Sequence, residues 1–293
     1  MQINREKAKA VFMAYTAQYD SENEKVRLKI EHTCRVSELC AVIAESLQLS
    51  KEDREFAWLI GLLHDIGRFE QLKKYGTFID AESIDHARYG AFILFKEGKI
   101  RDYVTDESED KLLWAAVYFH NAFKLPENPG KEADGFFSGE VLDSKAGGGA
   151  GAAPGGRTPG SGILDENREE RYRMFCNIIR DADKIDILRA NVEFSLEEIY
   201  NVSTKELKNA VVSPEVMEAF DEGHAVLRGQ KQTAADNIVG LIAFAYELVF
   251  PVSRRLIKEQ GYLNRIMDFE SENPLTRKQF RHIREKMNAF LAT

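Results

Sequence analysis

Trp58-Leu59-Ile60-Gly61-Leu62-Leu63-His64-Asp65-Ile66-Gly67 decides how this chain is read. A run this apolar belongs in a core. A core accepts an imidazole and a carboxylate side by side only when both are partnered, and a bound metal ion is the simplest shared partner. Upstream, Ser50 followed by Asp53 has the spacing of an N-cap, which predicts a helix from there to about residue 65.

Apolar residues recur at helical spacing on both sides of this run, and no alternation of period two is sustained, so the fold class is all-α. Val26, Ile30, Thr33, Val36, Leu39, Ile43 and Leu47 mark one face of a helix over residues 24–47. Further helices are predicted over residues 5–19, 84–95, 107–119 and 166–189. Ser213-Pro214-Glu215 opens another, to about residue 227, because proline at the first helical position loses no internal bond. Residues 233–250 and 252–269 meet at Pro251, which breaks the ladder between them. Thr276 with Gln279 reads as the cap of a last helix. Residues 1–212 are read as the main domain and 213–293 as a helical extension packing on it. Residues 144–162 hold eight of the chain's twenty glycines and read as a mobile loop. That segment lacks the Gly-Lys-Ser/Thr ending of a phosphate-binding loop.

A chain of 293 residues can enclose one sizeable core with an appendage, and 44% hydrophobic content is ordinary for it. The formal charge of −8 argues against an extended nucleic-acid surface. Neither an apolar leader nor a membrane-length run is visible, so the expected location is cytoplasmic, with no membrane partner. Cys34, Cys40 and Cys176 are far apart in helical patterns and read as buried thiols. Ile238, Leu241, Ile242, Phe244, Ala245, Leu248 and Phe250 are too many for one narrow stripe. Their helix is therefore either central or the contact of a homodimer.

His32, His64, His86 and His120 each lie on or at the end of a predicted helix, with Asp65 and Asp183 as companion carboxylates. Their wide spacing forbids a local knot, so a shared site must be assembled by helices packing side by side. A carboxylate can bridge two cations whereas an imidazole nitrogen binds one, which makes Asp65 the candidate bridge. Nitrogen and oxygen donors without thiolate suit Fe, Mn, Co or Zn better than Ca. Near residue 183 the sequence Arg180-Asp181-Ala182-Asp183-Lys184-Ile185-Asp186 offers three carboxylates, and helical phase does not select between Asp183 and Asp186. Lys184 reads as a partner of Asp181 or Asp186, and His224 and His282 read as ordinary polar histidines.

Glu31-His32-Thr33, Leu62-Leu63-His64-Asp65-Ile66-Gly67-Arg68 and Arg180-Asp181-Ala182-Asp183-Lys184 together resemble the HD-domain superfamily of metal-dependent phosphohydrolases. The resemblance spans about residues 24–190. It implies an HD-domain, phosphodiesterase-like helical bundle with additional C-terminal helices, and it selects Asp183 over Asp186. His86 and His120 resemble the extra ligands of the two-metal branch. The implied metal ligands are then His32, His64, Asp65, His86, His120 and Asp183, holding two divalent transition metals, Fe or Mn first, with Co, Ni or Zn as further options.

The reaction so implied is hydrolysis of a phosphate ester by metal-activated hydroxide, of phosphodiesterase type. The expected partner is a small phosphorylated substrate, a nucleotide or cyclic nucleotide. The Gly-Tyr-Pro element of the specialised cyclic-di-GMP hydrolases is missing, and Leu28 stands where a third-metal carboxylate would. Lys29 and Arg68, each one turn from a ligand, are the candidate phosphate holders, and Tyr75, Phe78 and Tyr89 the candidate base stackers. Gly61 and Gly67 bracket His64-Asp65 and would let another helix or the substrate approach. The alternatives are a single-metal nucleotidase or nucleoside-triphosphate (pyro)phosphohydrolase, a catalytically silent nucleotide sensor, and a bundle stabilised by a structural metal.

Overall fold

The computed structural model describes residues 1–139, 162–194 and 202–292, and among these it is helical without a strand. The glycine-rich stretch read as a loop falls outside the described residues except for Gly162, which opens a helix. The chain divides into two compact units, Met1–Arg180 and Asp181–Thr293.

The first unit contains α1 (Arg5–Thr16), α2 (Glu24–Ser46), α3 (Lys51–Leu63), α4 (Ile66–Tyr75), α5 (His86–Phe95), the short α6 (Ile100–Tyr103), α7 (Asp110–Phe119) and α8 (Pro129–Ser138). It also holds the first part of α9 (Gly162–Glu193), an unbroken helix that continues past the unit boundary. Helix α3 packs along α2, α4 on α5, and α7 on both α5 and α3. Ser50 caps α3 by accepting from the Asp53 amide at 3.0 Å, as its spacing predicts. Phe56 to Leu63 are all buried, so α3 is the central element of this unit and carries the apolar run into the core.

Two close approaches set the register of the core helices. A Cβ on Gly61 would stand 2.5 Å from the Ser37 Cα, so bare glycine lets α3 lie against the backbone of α2. A Cβ on Gly67 would stand 2.3 Å from the His86 carbonyl oxygen and 2.7 Å from the Gly90 nitrogen. There α4 and α5 cross glycine on glycine. Both glycines therefore serve helix packing.

The sequence reading needs correction at several ends. His64 and Asp65 are not successive positions inside one helix: α3 stops at Leu63, α4 starts at Ile66, and the pair forms the corner between them. Asp65 has φ −102° and ψ 15°, outside helical values. Helix α1 ends at Thr16, short of residue 19.

The second unit holds the rest of α9, then α10 (Thr204–Asn209), α11 (Pro214–Glu222), α12 (Ala234–Ala243), α13 (Pro251–Gln260), α14 (Tyr262–Met267) and α15 (Pro274–Ala292). Helix α12 packs on α10, α11 and α14. Helix α11 stops before residue 227 because Gly223 takes a left-handed φ of 80°. Helix α12 also stops early. The chain tightens into a 3₁₀ turn at Phe244–Glu247, and the amides of Val249 and Phe250 then bond to the buried Asp181 carboxylate at 3.0–3.1 Å. Pro251 follows as the first residue of α13. Thr276 is no cap: it lies inside α15 and donates to the Ala210 carbonyl, while Asn273 accepts from the Leu275 and Thr276 amides. Another buried carboxylate, Asp236, accepts from the Ser213 amide and hydroxyl and from the amides of Gln232 and Thr233, all at 2.7–2.9 Å.

Candidate metal centre

Asp65 is buried at the α3–α4 corner, and each of its oxygens faces a different pair of histidines. Oδ2 is 3.6 Å from the Nε2 atoms of both His32, on α2, and His64. Oδ1 is 3.3 Å from Nε2 of His86, the first residue of α5, and 3.7 Å from Nε2 of His120, which follows α7. The His86 and His120 Nε2 atoms are 3.0 Å apart. Four elements, distant in sequence, thus aim their imidazoles at one carboxylate.

Hydrogen bonds fix which ring nitrogen does the facing. A carbonyl oxygen only accepts, so the 2.7 Å contact to Gly61 oxygen means that His64 Nδ1 carries hydrogen and donates it. His120 Nδ1 likewise donates to the Val117 carbonyl at 2.7 Å. His86 Nδ1 donates to the Asp80 carboxylate, with both oxygens at 2.9 Å. With Nδ1 committed, Nε2 of a neutral ring keeps its lone pair toward Asp65. Burial and then the Arg68 cation push His86 down to about 4, so this ring is neutral at ordinary pH.

These spacings suit cations. Metal–nitrogen and metal–oxygen bonds of about 2.0–2.1 Å place neighbouring ligand atoms roughly 3–3.5 Å apart. The three edges joining Asp65 Oδ1, His86 Nε2 and His120 Nε2 run from 3.0 to 3.7 Å. Donor type, tautomer and spacing therefore fit a divalent transition metal. A second grouping of ligand atoms within reach of one ion comprises His64, Asp65 and His120.

Two cations of the chain share the site. Lys29 Nζ donates to Asp65 Oδ2 at 2.7 Å, and Arg68 Nε lies 3.5 Å from Oδ1. Burial pushes the Asp65 carboxyl up, but Lys29, the His64 and His120 rings and Arg68 more than reverse this and hold it well below the usual carboxylate range. The Phe78 ring lies beneath both cations, with Lys29 Nζ 5.5 Å and the Arg68 guanidinium carbon 5.7 Å from its centroid. Tyr75 is exposed, and Tyr89 stacks on Phe92 and contacts Lys74 through its hydroxyl.

Asp183 lies beyond the unit boundary, one turn after Arg180 on the unbroken α9, so these two side chains share a helix face. Arg180 donates to the carbonyls of Phe119, Ala122 and Phe123 around His120. Of the neighbouring carboxylates, Asp181 holds the Val249 and Phe250 amides, and Asp186 makes a two-pronged pair with Arg189 at 2.8 and 3.0 Å. The helix therefore gives Asp186 a structural partner that phase alone did not reveal. Lys184 pairs with Glu247 at 3.3 Å, and its charge also acts on Asp181, one of the two aspartates named for it. His224 and His282 are exposed partners of Glu222 and Asp221.

Sequence reasoning missed Asp80 and Gln71. Asp80 lies in a short 3₁₀ turn, Asp80–Glu82, where no periodicity advertises a role. Gln71 sits in a charged stretch that reads as surface, yet it is fully buried and donates to Asp80, Ser83 and the Ile84 carbonyl.

The model of the HD domain family matches residues 30–190, more than half of the chain. The chain belongs to the HD-domain family. The matched range begins just before His32 and ends just after Asp183, so it holds every histidine and aspartate of the motif. HD domains are all-α, bind divalent metals and act as metal-dependent phosphohydrolases. Comparison with curated proteins and with solved structures gave no match. No helix among the described residues is long and apolar enough to cross a membrane.

Proposed function

We propose that this HD-domain chain hydrolyses the phosphate ester of a nucleotide or related small molecule, by phosphodiesterase-type chemistry at a centre for two metal ions. The observation that carries the reading is the division of Asp65, one oxygen toward His32 and His64 and the other toward His86 and His120. Neutral imidazoles and carboxylate suit Fe or Mn, with Co, Ni and Zn accepted by the same donors. On the family motif, Asp183 is the remaining proposed ligand.

The residues facing Asp65 would hold divalent ions, which would supply an activated water and charge neutralisation at the phosphoryl oxygens. The chain's own groups do the rest. Asp65 remains ionised and spans both halves. Lys29 and Arg68 are the proposed phosphate holders, since both stand at the carboxylate with only 15% and 13% of their side chains exposed. Arg68 presents a planar fork suited to two phosphate oxygens, and Lys29 a point charge. Phe78 keeps both cations over its ring and so limits where a phosphate can settle.

A panel of phosphodiesters, phosphomonoesters and nucleoside triphosphates, run with Mn, Fe, Co, Ni and Mg, tests the reading. Turnover in the parent and its loss in Asp65→Ala, with metal content falling from about two ions per chain, is expected. Undiminished activity in Asp65→Ala would defeat the assignment.

A further inference from the structure

Asp80 joins groups that the metal centre needs separately. Its side chain is 7% exposed, and the ring of His86 against it is 2% exposed. Both carboxylate oxygens lie 2.9 Å from His86 Nδ1. Oδ1 also accepts from Arg68 at 2.9 Å and from the Gln71 amide at 2.9 Å, while Oδ2 accepts from the Asn121 amide at 3.2 Å. Asn121 is the residue after His120.

His64 and His120 obtain their orientation from carbonyls one turn back in the chain. His86 opens its helix, and its Nδ1 donates to Asp80 from the turn before α5. Gln71 has three acceptors around its amide and holds that turn against α4. The turn is thus built to present a carboxylate, and α4 is anchored to it twice, through Gln71 and Arg68.

We infer that Asp80 is a positioning residue that selects the Nδ1–H form of His86, whose Nε2 lone pair then faces the ion, and, through the same carboxylate, fixes Arg68 for the substrate phosphate. This rests on the two-metal reading above. One aspartate thereby couples the ion on the His86 and His120 half to the group that grips phosphate. An imidazole whose Nδ1–H is held by carboxylate is also the more basic ligand.

The test is Mn²⁺ titration by calorimetry, with metal counted after desalting, on the parent and on Asp80→Asn, Asp80→Glu and Arg68→Gln. An amide in place of the carboxylate can hold the ring in either tautomer, so Asp80→Asn should bind the second Mn²⁺ about 10–100-fold more weakly and keep the first. Asp80→Glu retains the charge and should recover part of that loss. It also carries the test if the asparagine variant does not fold. Arg68→Gln removes the cation but leaves Asp80 on His86, so both ions should remain and the KM for a phosphate ester should rise. Two ions bound with parental affinity in Asp80→Asn would overturn the inference and leave the two-metal reading standing, as would an Asp80→Glu protein that folds but binds both ions, rather than the second alone, more weakly. Equal metal loss in Arg68→Gln would also overturn it, because the network would then be merely structural. A parent that binds no Mn²⁺, Fe²⁺ or Co²⁺ would end the two-metal reading itself.

Discussion

Gly67→Ala puts the link between helix packing and the metal centre to a direct test. The added methyl would lie 2.3 Å from the His86 carbonyl oxygen, 2.7 Å from the Gly90 nitrogen and 3.1 Å from the Gly90 Cα, where ordinary contact begins at 3.4 Å. All three are backbone atoms, so no side chain can swing away. Helices α4 and α5 must separate by about 1 Å, the shortfall between 2.3 and 3.4 Å. Overpacking of this kind costs about 1–3 kcal/mol. In a unit of this size that corresponds to a fall in Tm of roughly 2–12 °C. The displaced backbone oxygen belongs to His86 itself, and the edges it helps form are 3.0–3.7 Å, so a shift of that size breaks the grouping. Activity should drop on the order of 100-fold, the usual effect of such a misplacement. Thermal melts, Mn²⁺ counting and a phosphate-ester assay read the three consequences. Gly229→Ala, where an added methyl meets nothing, is the control and should match the parent in all of them. A Gly67→Ala protein that melts and loads metal like the parent would refute the reasoning.

Lys29→Met leaves the buried Asp65 charge without its 2.7 Å partner. Breaking such a pair costs about 3–5 kcal/mol. The loss in Tm should be large in chelator and smaller with saturating Mn²⁺, since ligation of the native state stabilises by about 2.7 kcal/mol at 100 times Kd. Lys231 is pushed down to about 8, first by burial and then by Arg228. The unfolded chain then binds the extra proton between pH 8 and the ordinary lysine range, so stability rises with pH across that window. Lys231→Met should raise Tm at pH 7 and flatten the rise between pH 8 and 10, as differential scanning fluorimetry can show. Asp236→Ala strips the acceptor from four donors around Ser213, Gln232 and Thr233. Denaturant unfolding should show a loss of roughly 3 kcal/mol or more, with metal content unchanged.

Much of the all-α fold was legible because apolar spacing survives whatever the helices pack against. The faces of α2 and α3 could be read this way, and His32 and His64 came with them. The corner at Asp65 was not legible. Only two residues separate the end of α3 from the start of α4, and Arg68-Phe69-Glu70-Gln71 shows no start signal, so the two helices read as one helix and a tail. The early end of α12 arose from a partner far along the chain. Asp181 claims the amides of Val249 and Phe250, which no local pattern around residue 250 announces. The histidines carried a visible chemical preference, but the ordering of their tautomers by Gly61, Val117 and Asp80 appears only once backbone carbonyls and a loop carboxylate have positions.

The sharing of Asp65 between two halves has an electrostatic corollary. If two divalent ions bind there as proposed, the carboxylates of Asp65 and Asp183 would offset only part of their charge, and Lys29 and Arg68 would add to the surplus. A pocket so unbalanced attracts polyanions strongly and parts with them slowly. On the proposed reading, departure of the phosphorylated product, rather than cleavage of the bond, would be the slow step, and inorganic phosphate would compete for the same groups.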